Sequence, residues 1–118
     1  MTRILICGSR DWNDFNTIKK YLQTLPKDTV IIHGGCRGAD SIAGYLAKQM
    51  GMEVVVFKAD WNKCGKGAGP QRNQRMIDEG KPDLVVAFHD DIDNSKGTLD
   101  MVSRAEKSGL EVLLINST

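Results

Sequence analysis

The segment Val30-Ile31-Ile32-His33-Gly34-Gly35-Cys36-Arg37-Gly38-Ala39-Asp40 restricts the fold more than any other part of the chain. A short apolar, β-branched run breaks into Gly-Gly-x-Arg-Gly, and an alanine-rich helical pattern follows at once. That order reads as a strand, a tight turn and a helix N-terminus. Three glycines in five residues allow close backbone approach. The free N–H groups of the following helix would make the approaching group an anion.

The same alternation fills the rest of the chain. Apolar runs at residues 3–7, 29–33, 52–57, 83–88 and 110–115 are strands. Between them lie helical patterns: residues 15–25 behind a capping Asp14, residues 40–49 stopping at Gly51, residues 70–80 opening on Pro70, and a fourth from Gly97-Thr98 with Ser95 as its cap. Strands that are apolar along their length belong in a parallel sheet covered on both faces. Alternating elements joined by right-handed crossovers predict an α/β, three-layer, Rossmann-like, doubly wound fold with a parallel five-stranded sheet in the order 3-2-1-4-5. The 118 residues are expected to form one domain, with roughly 65% of the extended-chain surface buried.

Charge and cysteine content narrow the function. Sixteen basic and fifteen acidic residues give a net charge of +1, which argues against a dedicated duplex-DNA binder. No apolar run approaches the ~18 residues of a membrane span, and no leader precedes the first strand, so no membrane partner is expected. Cys7, Cys36 and Cys64 are odd in number and widely spaced, unlike a disulfide framework or a zinc site. A reduced, cytoplasmic setting follows.

In the predicted order, ligands bind at the carboxyl ends of the strands, where the chain reverses between the first and fourth. Gly8, Ser9 and Arg10 offer a tight turn, a hydroxyl and a planar cation there. Gly34, Gly35 and Gly38 suit close approach to phosphate, with Arg37 adding charge. Asp40 is most simply the cap of the second helix, with a ligand role as the alternative. The G-x-G-x-x-G fingerprint is missing after the first strand, which disfavours a standard NAD-dependent dehydrogenase. The connection over residues 58–69 is long for its type, and such loops are usually functional. Asp60 could accept from ribose hydroxyls, and Trp61 could stack on a base or pack down as a lid. If Pro70 opens the third helix, Arg72 falls in its first turn, where a cation opposes the helix dipole and bare structural use is disfavoured. Asn73 could reach the same site. Asp100, in the first turn of the fourth helix, is favoured there for structural reasons alone. Asp90, Asp91 and Asp93 lack the glycine and distal glutamate of an EF-hand loop, so no calcium site is assigned. No metal ligand set and no cofactor are assigned, although a loosely held magnesium stays open for the acidic loop.

Five stretches together resemble the YspA-like branch of the SLOG superfamily. They are Gly8-Ser9-Arg10-Asp11-Trp12, His33 to Asp40, Ala59-Asp60-Trp61, Ala68-Gly69-Pro70-Gln71-Arg72-Asn73-Gln74-Arg75-Met76 and Ser95-Lys96-Gly97-Thr98-Leu99-Asp100-Met101. The superfamily includes the Lonely Guy phosphoribohydrolases and DprA, and its shared theme is a Rossmann-like pocket for nucleotides or their derivatives. Arg72-x-x-x-Met76 is similar to the Arg-x-x-x-Met of Lonely Guy enzymes. Gly97-Thr98-Leu99-Asp100 resembles their Gly-Gly-x-Gly-Thr-x-x-Glu. The resemblance implies catalytic roles for Arg72 and Asp100, and ligand contacts from Gly97 and Thr98. Asp100 is one methylene shorter than the family's glutamate, and Asp-Asn-Ser-Lys replaces the turn before Gly97.

Three functions remain in view. The first is a sensor or sequestering module for a nucleotide-derived small molecule. The second is a hydrolase of the N-glycosidic bond of a nucleotide. Single-stranded nucleic-acid binding is weakened by neutral charge and few aromatics. By analogy with dimeric relatives, the chain is expected to form a homodimer.

Overall fold

The computed structural model describes residues 2–60 and 67–118. Its sheet runs through β1 (Arg3–Gly8), β2 (Val30–His33), β3 (Glu53–Val56), β4 (Leu84–Phe88) and β5 (Val112–Ile115). All five strands are parallel, in the order β3-β2-β1-β4-β5. The doubly wound architecture read from the sequence is therefore the one the chain adopts. Helices α1 (Phe15–Gln23), α2 (Ala39–Gln49), α3 (Ala68–Asp78) and α4 (Lys96–Lys107) make the crossovers, and a 3-10 turn over Ile92–Asn94 precedes α4.

The layering follows from the two-residue period of a strand, which sends successive side chains to opposite faces. Ile4, Ile6, Ile31, Val86 and Phe88 join Ile18 and Leu22 of α1 and Ala43 and Ala47 of α2 in one apolar cluster. Leu5, Cys7, Ile32, Val85 and Ala87 meet Met76 of α3 and Met101 of α4 in the other. Both faces of the three central strands are thus covered, so these strands read as unbroken apolar runs. β3 and β5 form the edges and stay partly exposed. Phe88 anchors the first cluster, with edge-on contacts to Trp12 at 5.6 Å and Tyr21 at 6.0 Å between ring centroids.

Two helix starts agree with the sequence reading. Asp14 accepts from Thr17 N at 3.1 Å, and Ser95 accepts from Thr98 N at 3.2 Å. The third helix differs, because it begins at Ala68 and not at Pro70. As third residue of α3, Pro70 still lies where the backbone N–H would have no intrahelical acceptor, so its missing donor costs nothing there. The shift moves Arg72 to the fifth position of α3. Asp100 is likewise fifth in α4, since that helix opens at Lys96. Neither residue lies in a first turn, so the N-terminal helix dipole accounts for neither.

Candidate functional site

At the switch point, Gly8 of β1 pairs in register with Phe88 of β4. The chain leaves β1 at Ser9, whose N–H donates to Phe88 O at 2.9 Å and whose carbonyl accepts from Ala39 N at 3.0 Å. This junction is too tight for side chains. A Cβ on Gly8 would collide with Phe88 O and the Ala39 Cβ. Gly38, at φ +79°, would drive a Cβ into the backbone of Ser9 and Arg10. These two glycines serve contact between the protein's own segments.

The β2–α2 loop also satisfies itself internally. Asp40 is the second residue of α2, while Gly38 occupies the N-cap position without a side-chain cap. The buried Asp40 carboxylate turns back to accept from Gly34 N at 2.9 Å and Cys36 N at 3.3 Å. The amide between them, Gly35 N, donates to His33 Nδ1 at 3.0 Å. The Gly34, Gly35 and Cys36 amides of the expected phosphate cradle are therefore engaged, and Asp40 stands where an anion would. Burial pushes the Asp40 carboxyl up to about 6, while the two amides, Arg72 and Arg10 favour the charged form. Burial, with help from Lys48 and Arg72, lowers His33 to about 4. The resulting neutral imidazole leaves Nδ1 free to accept.

Arg72 crosses from α3 to this loop. Its Nη1 donates to Gly34 O at 2.6 Å and its Nε to Asn73 Oδ1 at 3.0 Å, with the residue only 8% exposed. A Cβ on Gly34 would stand 2.6 Å from Nη1, so this glycine makes room for the guanidinium. Asn73 Nδ2 continues the chain to Asp100 Oδ2 at 2.9 Å and Gly97 O at 3.3 Å. Arg104 Nε donates to the same Asp100 oxygen at 2.9 Å and its Nη1 to Gln74 Oε1 at 2.9 Å. A polar thread thus ties the β2–α2 loop to the start of α4.

Two clefts open beside that thread. The first, of about 660 Å³, lies at the switch point over a floor of Cys7, Met76 and Met101. The loop after β1 forms one wall, and the Ser95–Thr98 start of α4 forms another. The Lys96 and Gly97 amides find no protein acceptor among the described residues, so this helix start keeps free backbone donors. The second cleft, of about 520 Å³, is lined by Arg10, Gly34, Gly35, Cys36, Arg37, Lys58, Ala59 and Arg72.

The sequence-predicted residues divide between them. Gly8, Ser9, Arg10, Asp40, Arg72, Asn73, Gly97 and Thr98 line the first cleft. Arg10, Gly34, Gly35, Arg37 and Arg72 line the second. Gly38 and Asp100 line neither: Gly38 is packed on Ser9, and the Asp100 carboxylate is held by Asn73 and Arg104. Asp60 is exposed and lines neither cleft, and Trp61 lies outside the described residues. Sequence reasoning overlooked Lys96, Lys58 and Met101. Lys96 carried a usable signal, since it is the cation in a first helical turn that was sought at Arg72. Of the acidic loop, Asp90 accepts from Ser117 and Asp91 from Asn94. No group of three His, Cys, Asp or Glu among the described residues is placed to hold a metal ion. No described helix is long and apolar enough to cross a membrane.

A parallel doubly wound sheet with a polar cleft at its switch point defines a Rossmann-like α/β protein. The model of the YspA, cpYpsA-related SLOG family matches residues 2–64, and the chain belongs to that family. It is 38% identical over 122 residues to the Gene 61 protein of Mycobacterium phage D29, covering 96% of this chain and 95% of that one. The fold is similar to DNA processing protein A (DprA) from Streptococcus pneumoniae, with a TM-score of 0.79 and 20% identity. That match covers 100% of this chain, which spans only 51% of the DprA chain. Membership of that family is consistent with nucleotide-related binding.

Proposed function

We propose that the protein binds a nucleotide or nucleotide derivative in the first cleft and acts as a sensor or sequestering module. The observation that carries this reading is the start of α4, where Lys96 and two unengaged amides face a cleft of about 660 Å³ with an apolar floor. A phosphate on those amides would gain hydrogen bonds, the helix dipole and the lysine charge together. The base would lie toward Met76 and Met101, and Arg10 would close over the phosphate from the opposite wall. Nothing in this arrangement requires a bond to be cut.

A second reading, hydrolysis of the N-glycosidic bond, is favoured by Asp40. A buried carboxyl with a pKa of about 6 at the cleft wall is suited to proton transfer near neutral pH. Asp100, outside the cleft, would act only through Asn73.

Thermal unfolding with a panel of mononucleotides, nucleoside diphosphates and dinucleotides tests the binding reading. A ligand at about 100 times its Kd adds ~2.7 kcal/mol, which raises Tm by several degrees. A flat response to the whole panel overturns both readings. Chromatography of the same mixtures for free base or ribose phosphate then separates binding from hydrolysis.

A further inference from the structure

The second cleft differs from the first in charge. Arg10, Arg37, Lys58 and Arg72 line it, and among the described residues no carboxylate does. The first cleft, by contrast, includes Asp11, Asp14, Asp40, Asp90 and Asp91 in its lining. In a chain whose net charge is only +1, four cations around one concavity with no acid among them form a strong local concentration. Arg72 is the fixed member, buried and oriented by Gly34 O and Asn73 Oδ1. Arg37 touches Asp11 at 3.6 Å, but both side chains are largely exposed, and such a rim pair gives way easily to a stronger anion. The Gly34, Gly35 and Cys36 amides are already bound to Asp40 and His33, which leaves the recognising mainly to the side-chain cations. The two clefts share Arg10, Cys36 and Arg72 as a common wall.

We infer that the second cleft is an anion subsite for the same ligand, so that the molecule bound is a nucleotide extended by a second negatively charged group. The chemical class is a nucleoside diphosphate or an ester of one. The nucleoside and first phosphate occupy the switch-point cleft, and the extension passes the shared wall to meet Arg37 and Lys58. This inference rests on the proposed binding of a nucleotide in the first cleft. It adds the requirement for two charged parts.

Isothermal titration of the whole chain with AMP, ADP and ADP-ribose tests it, at low and moderate salt. The extended ligands should bind at least about tenfold more tightly than AMP, with a steeper loss of affinity as salt rises. Lys58→Glu, a change on an exposed side chain, should remove most of that advantage while AMP binding stays within about twofold. Equal affinities for AMP and the extended ligands overturn the subsite and leave nucleotide binding standing. So does a Lys58→Glu variant that weakens AMP as much as ADP. Failure of every nucleotide to bind overturns both readings together.

Discussion

Arg72 Nη1 donates to the carbonyl oxygen of Gly34 at 2.6 Å, joining residues 38 apart in sequence and tying α3 to the β2–α2 loop. The guanidinium is buried, and its Nε is spent on Asn73. Truncating it would leave Gly34 O and Asn73 Oδ1 without their donor and remove a positive charge that favours ionised Asp40. Arg72→Ala is expected to cost about 2–4 kcal/mol of stability, read from urea unfolding. Arg72→Lys should recover only part, because an ammonium cannot reproduce two bonds in a fixed fork. A variant as stable as the parent would show the thread to be dispensable.

Gly34→Ala attacks the same contact from the other side. The added Cβ would sit 2.6 Å from Nη1 and 2.9 Å from the guanidinium carbon, so the arginine must move off the carbonyl. A loss of about 1–3 kcal/mol is expected. Because both substitutions break one interaction, the double variant Gly34→Ala, Arg72→Ala should cost clearly less than the sum of the singles. Simple additivity in the cycle would mean that Gly34 is small for another reason.

These two residues also show how far the sequence could be read. Strand order, layering and the edge that carries the site all followed from apolar runs alternating with amphipathic ones, because burial on both faces leaves its mark in the three central strands. The capping roles of Asp14 and Ser95 followed from local chemistry that needs only three residues of context. What the sequence could not show is where a long-range partner would come from. Gly34 and Gly38 read as openings for a ligand, yet one accommodates Arg72 and the other the Ser9 and Arg10 backbone. Asp40 read as a cap facing forward along α2, yet it binds backward to the loop. The cation in a first helical turn is Lys96 and not Arg72, because sequence places helix boundaries only to within a residue or two and a first turn spans only four.

Asp40 and His33 should give the fold opposing pH dependences. Asp40 is raised from 3.8 to about 6, so the native state holds a proton that the unfolded chain has released, and stability falls as pH rises across that window. His33 is lowered from 6.5 to about 4, so the unfolded chain takes up a proton that the native state refuses. Its contribution is lost as pH falls through the same range. The parent should therefore change little in stability between about pH 4 and 6. Asp40→Asn, which keeps an acceptor for Gly34 and Cys36, should unmask a rise with pH. His33→Asn should unmask a fall of up to about 3 kcal/mol, the equivalent of a shift of about 2 pH units. Urea midpoints from pH 4 to 7 read both slopes, and parallel profiles for the three proteins would refute the assignment.

Gly97 separates the demands of folding from those of binding. It is the second residue of α4, it is exposed, and a Cβ there would meet nothing within 4 Å. No steric conflict in the protein therefore requires glycine. Alanine is the better helix former, so Gly97→Ala should leave the free protein as stable or improve it by about 0.5–1 kcal/mol. The same methyl group would project beside the Lys96 and Gly97 amides, on the wall of the first cleft. If a phosphate sits on those amides, the variant should lose about tenfold or more in nucleotide affinity while gaining in Tm without ligand. Stability and affinity would then move in opposite directions, which damage to the fold cannot produce. A Gly97→Ala protein that binds nucleotides as tightly as the parent would move the anion away from the start of α4 and leave Arg10 and the second cleft to hold it.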